Sequence, residues 1–275
     1  MSQYKMMASH TEVMEKNRAY DRADSPVWRL AVYDAVHDGW EFTNMGGALA
    51  LDFIGARAGL NGGKQVLEFC SGLGAACRYM ASKFGCRVTG IELNANQVTQ
   101  AQAKAAELNT RIASLISFEC CDALDWLPTR RYDLVYMIDS LMLVENMKRM
   151  LGKCFEALRP GGMLGLVEMI AGPNIDPPLR NLIWEIDGII NLPTIDEYEA
   201  LLQAAGFRDL RFEAITETAQ RCFDKIGWAV AEHRQTIIEA EGEGTYRGWS
   251  QIADLYSRSF KSGKLGYVRI TATRP

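Results

Sequence analysis

The chain has 275 residues, 48% hydrophobic and 23% charged, with a formal net charge of −4. That length and balance suit one compact α/β domain with appendages, and the absence of a dense Lys/Arg stripe excludes nucleic acid as ligand and leaves a small molecule. Seven scattered cysteines without a C-x-x-C pair read as reduced, packed thiols of a cytoplasmic protein, so neither disulfides nor a metal are expected; no apolar run approaches the roughly 18 residues of a membrane span, and the start lacks a basic-then-apolar export pattern.

Residues 1 to 24 are polar with a weak helical stripe (Met6, Val13, Met14), which predicts a mobile or partner-dependent arm and a candidate contact with a second copy of the chain. From Ser25 a helix is expected, with Pro26 in its first turn and Trp28, Val32, Ala35 and Val36 at helical spacing. A loop rich in aromatics and glycine follows (Trp40, Phe42, Gly46, Gly47); either it covers a ligand or its rings are ordinary packing. The arm and loop, residues 1–59, are expected to form a helical lid in which Tyr20, Tyr33 and Trp40 touch the substrate.

QVLEFCSGLG, residues 65–74, is the stretch around which the remainder is organised. A short apolar strand ends in Glu68 and turns through Cys70, Ser71, Gly72 and Gly74 into a helix. The glycines let a ligand approach the backbone, and the helix start offers unpaired N–H groups. Cys77 stands where a dinucleotide fingerprint needs its third glycine, and Glu68 would repel a pyrophosphate while suiting a cationic amine. CRVTGIEL is the second strand, and Glu92 at its end, about 20 residues past the glycines, is placed to accept ribose hydroxyls. ISFECCDALDW gives a third strand ending at Asp122, RYDLVYMID a fourth ending at Asp139, and MLGLVEMI a fifth carrying Glu168, with Arg159 to Gly162 read as the turn before it.

Alternation of strands and helices at this spacing predicts a Rossmann-like, mostly parallel sheet with helices on both faces. Glu68, Glu92, Asp122 and Asp139 then meet at the strands' carboxyl ends. Beyond it, GPNIDPPLRNLIWEIDGIINLP is long for a connection, 217–260 reads as helical, and GYVRITATRP as an antiparallel last strand. The domain is therefore expected over residues 60–275, with acceptor-side insertions near 170–195 and 217–260.

VLEFCSGLG, GIEL, CDALDW, YDLVYMIDSLMLVEN and LRPGGMLGLVEM, in this order, resemble the class I S-adenosylmethionine-dependent methyltransferases. AVYDAVHDGWEFTNMGG, LPTIDEYEALLQAAGF and GKLGYVRITATRP are similar to the small-molecule branch that contains sarcosine and dimethylglycine N-methyltransferases and tocopherol and sterol C-methyltransferases. The resemblance implies S-adenosylmethionine as cofactor, with Glu68, Cys70, Gly72 and Gly74 around its methionine moiety. It puts Glu92 on the ribose, Leu93 against the adenine, and Gln97, Asp122, Ala123 and Met137 along the same site. It also implies a backbone at Cys70 that avoids strongly positive φ, since the family usually has glycine there.

Methyl transfer is an in-line displacement, so alignment and exclusion of water matter most, and a base is needed only where the acceptor must lose a proton. Asp139, Glu168 and His37 are the candidates for that role. Trp40, Met142, Met169, Trp184 and Ile186 would make an apolar acceptor pocket, suited to a natural-product type of metabolite methylated at carbon, nitrogen or oxygen. The competing readings are a nicotinamide-dependent oxidoreductase and a non-catalytic cofactor-binding scaffold.

Overall fold

The computed structural model describes residues 27–37 and 39–275, so the arm, Tyr20 included, lies outside the described residues. Seven strands form one sheet: β1 (Gln65–Phe69), β2 (Arg87–Glu92), β3 (Ile116–Cys120), β4 (Tyr132–Ile138), β5 (Leu158–Ala171), β6 (Arg208–Ala214) and β7 (Leu265–Thr273). Their order is β3-β2-β1-β4-β5-β7-β6. The first five run parallel, and β7 enters antiparallel between β5 and β6.

Strand β4 is buried at all seven positions, because a parallel strand at the sheet's centre is covered on both faces. Successive side chains alternate between those faces. Leu134, Tyr136 and Ile138 enter one core with Val66, Leu51 and Ile54, whereas Val135 and Met137 enter the other with Leu67 and Phe69. Helices α1 (Val27–Val36), α2 (Gly47–Arg57) and α3 (Ala75–Phe84) belong to the first face, as do α9 (Thr216–Glu232), α10 (Arg234–Glu241) and α11 (Glu243–Lys261). Helices α6 (Met147–Ala157) and α8 (Ile195–Ala204) cover the second.

Caps fix the other boundaries. Asn94 accepts the Asn96 and Gln97 N–H groups to start α4 (Ala95–Ala106), and a short turn of helix, α5 (Thr110–Ala113), precedes β3. The long connection after β5 folds as α7 (Pro177–Asp187), capped by Asp176, with prolines in its first turn and Gly188 in the left-handed region at its end. Thr194 and Glu197 form a capping box that opens α8.

One sequence expectation is overturned. Arg159 to Gly162 are not a turn: α6 ends at Ala157 and β5 begins at Leu158, with a bulge opposite Tyr132 and Leu134. The stretch is held in the sheet because Gly161 N–H donates to Arg274 O and Arg274 N–H to Gly162 O. Among the described residues no helix is long and apolar enough to cross a membrane.

Gly74 tests the strand-to-helix turn. It has φ +71°, and a Cβ there would lie 2.4 Å from the Phe118 ring. Gly74→Ala is expected to lower stability by about 2–3 kcal/mol in denaturant titration, from strain and overpacking together.

Candidate functional site

A cavity of about 500 Å³ opens at the carboxyl ends of β1, β2, β3 and β4, a volume normal for small-molecule sites. One end is built by the strands. Glu68, Cys70 to Leu73, Glu92 to Asn94, Gln97, Asp122, Ala123 and Asp139 line it. The other end is built by helices and loops, with Tyr33 of α1, Met142, Met169, Ile189, and side chains of α9 and α11.

The glycine turn is held by Glu92. Its Oε2 accepts the Gly72 N–H at 2.8 Å and its Oε1 the Asn94 N–H at 3.0 Å, so the carboxylate ties the first turn to the second. Ser71 N–H donates to Ile91 O across the same gap. Asp122 Oδ1 accepts the Leu124 N–H at 2.8 Å, which folds the loop after β3 along the cavity. Leu93 is 41% exposed, an apolar side chain left at the cavity rim rather than in the core.

Three acids are strongly perturbed. Glu68 Oε2 accepts the Cys77 thiol and the Tyr136 hydroxyl, both at 2.8 Å, and burial pushes its carboxyl up to about 7. Asp139 Oδ2 accepts the Met45 N–H at 2.8 Å and the Tyr267 hydroxyl at 3.0 Å; burial raises this acid to about 7 as well, and its Oδ1 has no hydrogen-bond partner. Glu168 is 0% exposed, and burial followed by the charge of Asp139 raises it to about 8.

Several expected site residues lie elsewhere. Met137 does not line the cavity; alternation along β4 sends it to the opposite face, where its sulfur lies 4.0 Å from that of Cys154, and Ile138 takes the cavity side. Glu168 does not reach the cavity either. Alternation gives Met169 that place, and Glu168 Oε1 instead accepts the Ser140 and Leu141 N–H groups beneath the short 3₁₀ turn Leu141–Leu143. His37 is packed away from the cavity, edge-on to Phe42 with ring centroids 5.8 Å apart. Trp40 stacks on Phe42 at 5.6 Å, and it is Phe42, the inner ring of the pair, that lines the cavity. Trp184 and Ile186 are also absent from the lining, because the turn at Gly188 brings the end of α7 to the cavity, at Asp187 and Ile189, rather than its body.

Cys70 also departs from expectation, with φ +59°, the left-handed conformation that favours glycine. A side chain of only one heavy atom beyond Cβ is held there by the pairing on both sides of the turn, at a cost of about 1 kcal/mol or more. Sequence reading expected residues 217–260 on the acceptor side but named none of the side chains they bring to the cavity, Cys222, Phe223, Ile226, Trp249, Ile252 and Tyr256. Phe223 and Ile226 are recognisable in the sequence only as an apolar helix face, a pattern that does not distinguish core from cavity. Among the described residues no three His, Cys, Asp or Glu side chains are grouped so as to hold a metal ion.

A methyltransferase domain model matches residues 66–162. The phosphoethanolamine N-methyltransferase of Plasmodium falciparum is 25% identical over 252 residues, covering 88% of this chain and 91% of that protein. The 27-O-demethylrifamycin SV methyltransferase of Amycolatopsis mediterranei is 26% identical over 234 residues, covering 78% and 79%. Among solved structures, Haemonchus contortus phosphoethanolamine N-methyltransferase 2, in complex with phosphomonomethylethanolamine and S-adenosylhomocysteine, superposes with a TM-score of 0.81 at 18% identity. The match covers 98% of this chain and 60% of that one, which is thus considerably longer.

The acids give a pH prediction. Each holds its proton to higher pH folded than unfolded, so its stabilising contribution is complete below the unfolded value and is lost as pH rises through about 7 for Glu68 and Asp139 and about 8 for Glu168. The ligand-free protein should lose melting temperature between pH ~5 and ~8, and Glu168→Gln, a neutral isostere, should flatten that loss by on the order of a few kcal/mol. Parallel curves for the two proteins would remove Glu168 as a source of the slope.

Proposed function

The chain is a class I S-adenosylmethionine-dependent methyltransferase, and from that premise we propose that it methylates a small, largely apolar metabolite of the natural-product tailoring kind. The observation that carries this reading is one continuous cavity with strand-end acids at one end and apolar helix walls at the other. The relatives and structures matched give no support to a nicotinamide-dependent oxidoreductase.

The residues present fit the cofactor. It carries an amine, a ribose and an adenine, and the described lining offers a buried acid at Glu68, a carboxylate at Glu92, and the Asp122–Ala123 loop with Leu93 beside it. Glu68 is buried with a thiol and a phenol as its side-chain partners, so a ligand ammonium beside it would favour its ionised form. Ser71 Oγ is buried without a partner among the lining residues, a further polar group that a ligand would satisfy. In this reading Glu68 with the backbone of residues 70–74 holds the methionine moiety, Glu92 the ribose, and Gln97, Asp122 and Ala123 the adenine side.

When bound, S-adenosylmethionine supplies an electrophilic methyl group on sulfur. The chain's task is alignment and exclusion of water: the loop of residues 41–45 with α1 closes one side and α9 and α11 the other. Residues 27–59 serve as the described portion of the lid, and the segments near 170–195 and 217–260 as the acceptor-side insertions. Asp139 is the proton acceptor where the substrate must lose a proton, because Oδ2 is fixed by Met45 and Tyr267 while Oδ1 is buried without a partner on a residue that lines the cavity.

Calorimetry with S-adenosylmethionine should show binding that Glu92→Ala weakens by about 1.5–3 kcal/mol. Equal affinity in the variant would take Glu92 out of the site. With an acceptor identified by mass shift after incubating extract with labelled cofactor, Asp139→Asn should lower turnover about 10²–10³-fold and leave cofactor affinity nearly unchanged. Turnover in the native protein should rise with pH through about 7 as Asp139 ionises; a variant that keeps both rate and pH profile would exclude Asp139 as base.

A further inference from the structure

Between the glycine turn and the loop ahead of α2 lies a buried cation that the chemistry above does not use. Arg78 of α3 is 6% exposed, and its fork serves two elements at once. Nη1 donates to Leu73 O of the glycine turn and Nη2 to Glu41 Oε2 of the loop, both at 2.7 Å. Lys104 of α4 reaches the other oxygen of the same carboxylate, Nζ donating to Oε1 at 2.6 Å. The loop also rests on α3 through rings, since Trp40 and Phe42 each meet Tyr79 edge to face, at 5.1 and 5.7 Å.

The two cations are not equivalent. Lys104 is a point charge on Glu41, whereas the planar guanidinium of Arg78 fixes the loop and the glycine turn relative to each other. From Glu41 the loop runs on to Phe42, which lines the cavity, and to Met45, whose N–H donates to Asp139 Oδ2. A continuous set of contacts thus leads from the glycine turn, through one guanidinium, to the wall and the acid of the acceptor end. Moving either the turn or the loop alone leaves a buried charge half-paired, so the two are held in place together. Resting on the placement of the cofactor around residues 70–74 above, we propose that Arg78 is a positioning residue that couples occupancy of the glycine turn to closure of the loop of residues 41–45 over the acceptor.

The test uses the full chain with saturating S-adenosylhomocysteine, whose binding to each protein is measured first by calorimetry. Hydrogen exchange is then read by mass spectrometry in the peptide spanning residues 40–47, with α6 as the internal control for global stability. S-adenosylhomocysteine should slow exchange of that peptide about tenfold in the native protein. In Arg78→Met the slowing should fall to about twofold or less while α6 exchanges as in the native protein. Lys104→Met, which takes an equally close partner from the same carboxylate without touching Leu73, should speed exchange of the free protein yet keep a slowing of about fivefold or more. Where Arg78→Met does not fold, Glu41→Ala cuts the same link from the loop side and should likewise abolish the slowing. No slowing in the native protein, slowing retained in the folded Arg78 or Glu41 variant, or slowing lost equally in Lys104→Met would overturn the proposal and leave cofactor binding standing. Failure of the native protein to bind S-adenosylhomocysteine would instead remove the cofactor placement and this proposal with it.

Discussion

Three distant segments of the chain meet on one oxygen atom. Asp139 Oδ2 receives the Met45 N–H from the loop ahead of α2 and the Tyr267 hydroxyl from β7, while Asp139 itself leaves the end of β4 with φ +48° and donates its N–H to Val167 O of β5. A buried acid that holds its surroundings together this way is a constraint as well as an anchor, because every donor removed from it leaves charge or a polar atom uncompensated. Glu168 has the same role at the neighbouring layer, pinning the turn that begins at Ser140. Burial, followed by the charge of Asp139, keeps Glu168 protonated to a higher pH than its neighbour.

The strained backbone of the molecule is concentrated at this cavity. Cys70 and Asp139 are two of three non-glycine residues at positive φ among the described residues, and both line it. At Cys70 burial pushes the thiol well above its ordinary range, so the group behaves as a small packed side chain rather than a nucleophile. Its role is to fill space in a turn whose conformation is dictated by the neighbours of Glu92, not by its own preference.

Much of this is legible in the residues alone. The strands announce themselves as apolar runs ending in Glu68, Glu92 and Asp139, and the alternation with helices fixes their parallel order, including an antiparallel last strand at Leu265–Thr273. What is lost is what periodicity cannot carry. Met137 and Ile138 are both apolar and adjacent, and only the pleat decides which one faces the ligand space. Trp40 and Phe42 are both aromatic loop residues, and their stacking order decides which one is inside. The segment that forms α9 and α11 is expected on the acceptor side, but its lining residues cannot be picked out, because a helix face packed against a cavity has the same sequence signature as one packed against a core. The conformation of Cys70 is misjudged because a local preference is allowed to outvote a fold that overrides it.

The position of β7 has a consequence for how the molecule comes into being. Residues 265–273 are synthesised after every other strand, yet they lie between β5 and β6 and complete hydrogen bonding along both. Until they arrive, β6 has no strand to pair with and one edge of β5 stays open, so the nascent chain holds an incomplete sheet with exposed strand edges. Tyr267 is on that same strand, so Asp139 receives one of its two donors only when β7 docks. Assembly of the sheet and completion of the cavity are therefore a single late event dominated by contacts distant in sequence, a topology that folds slowly.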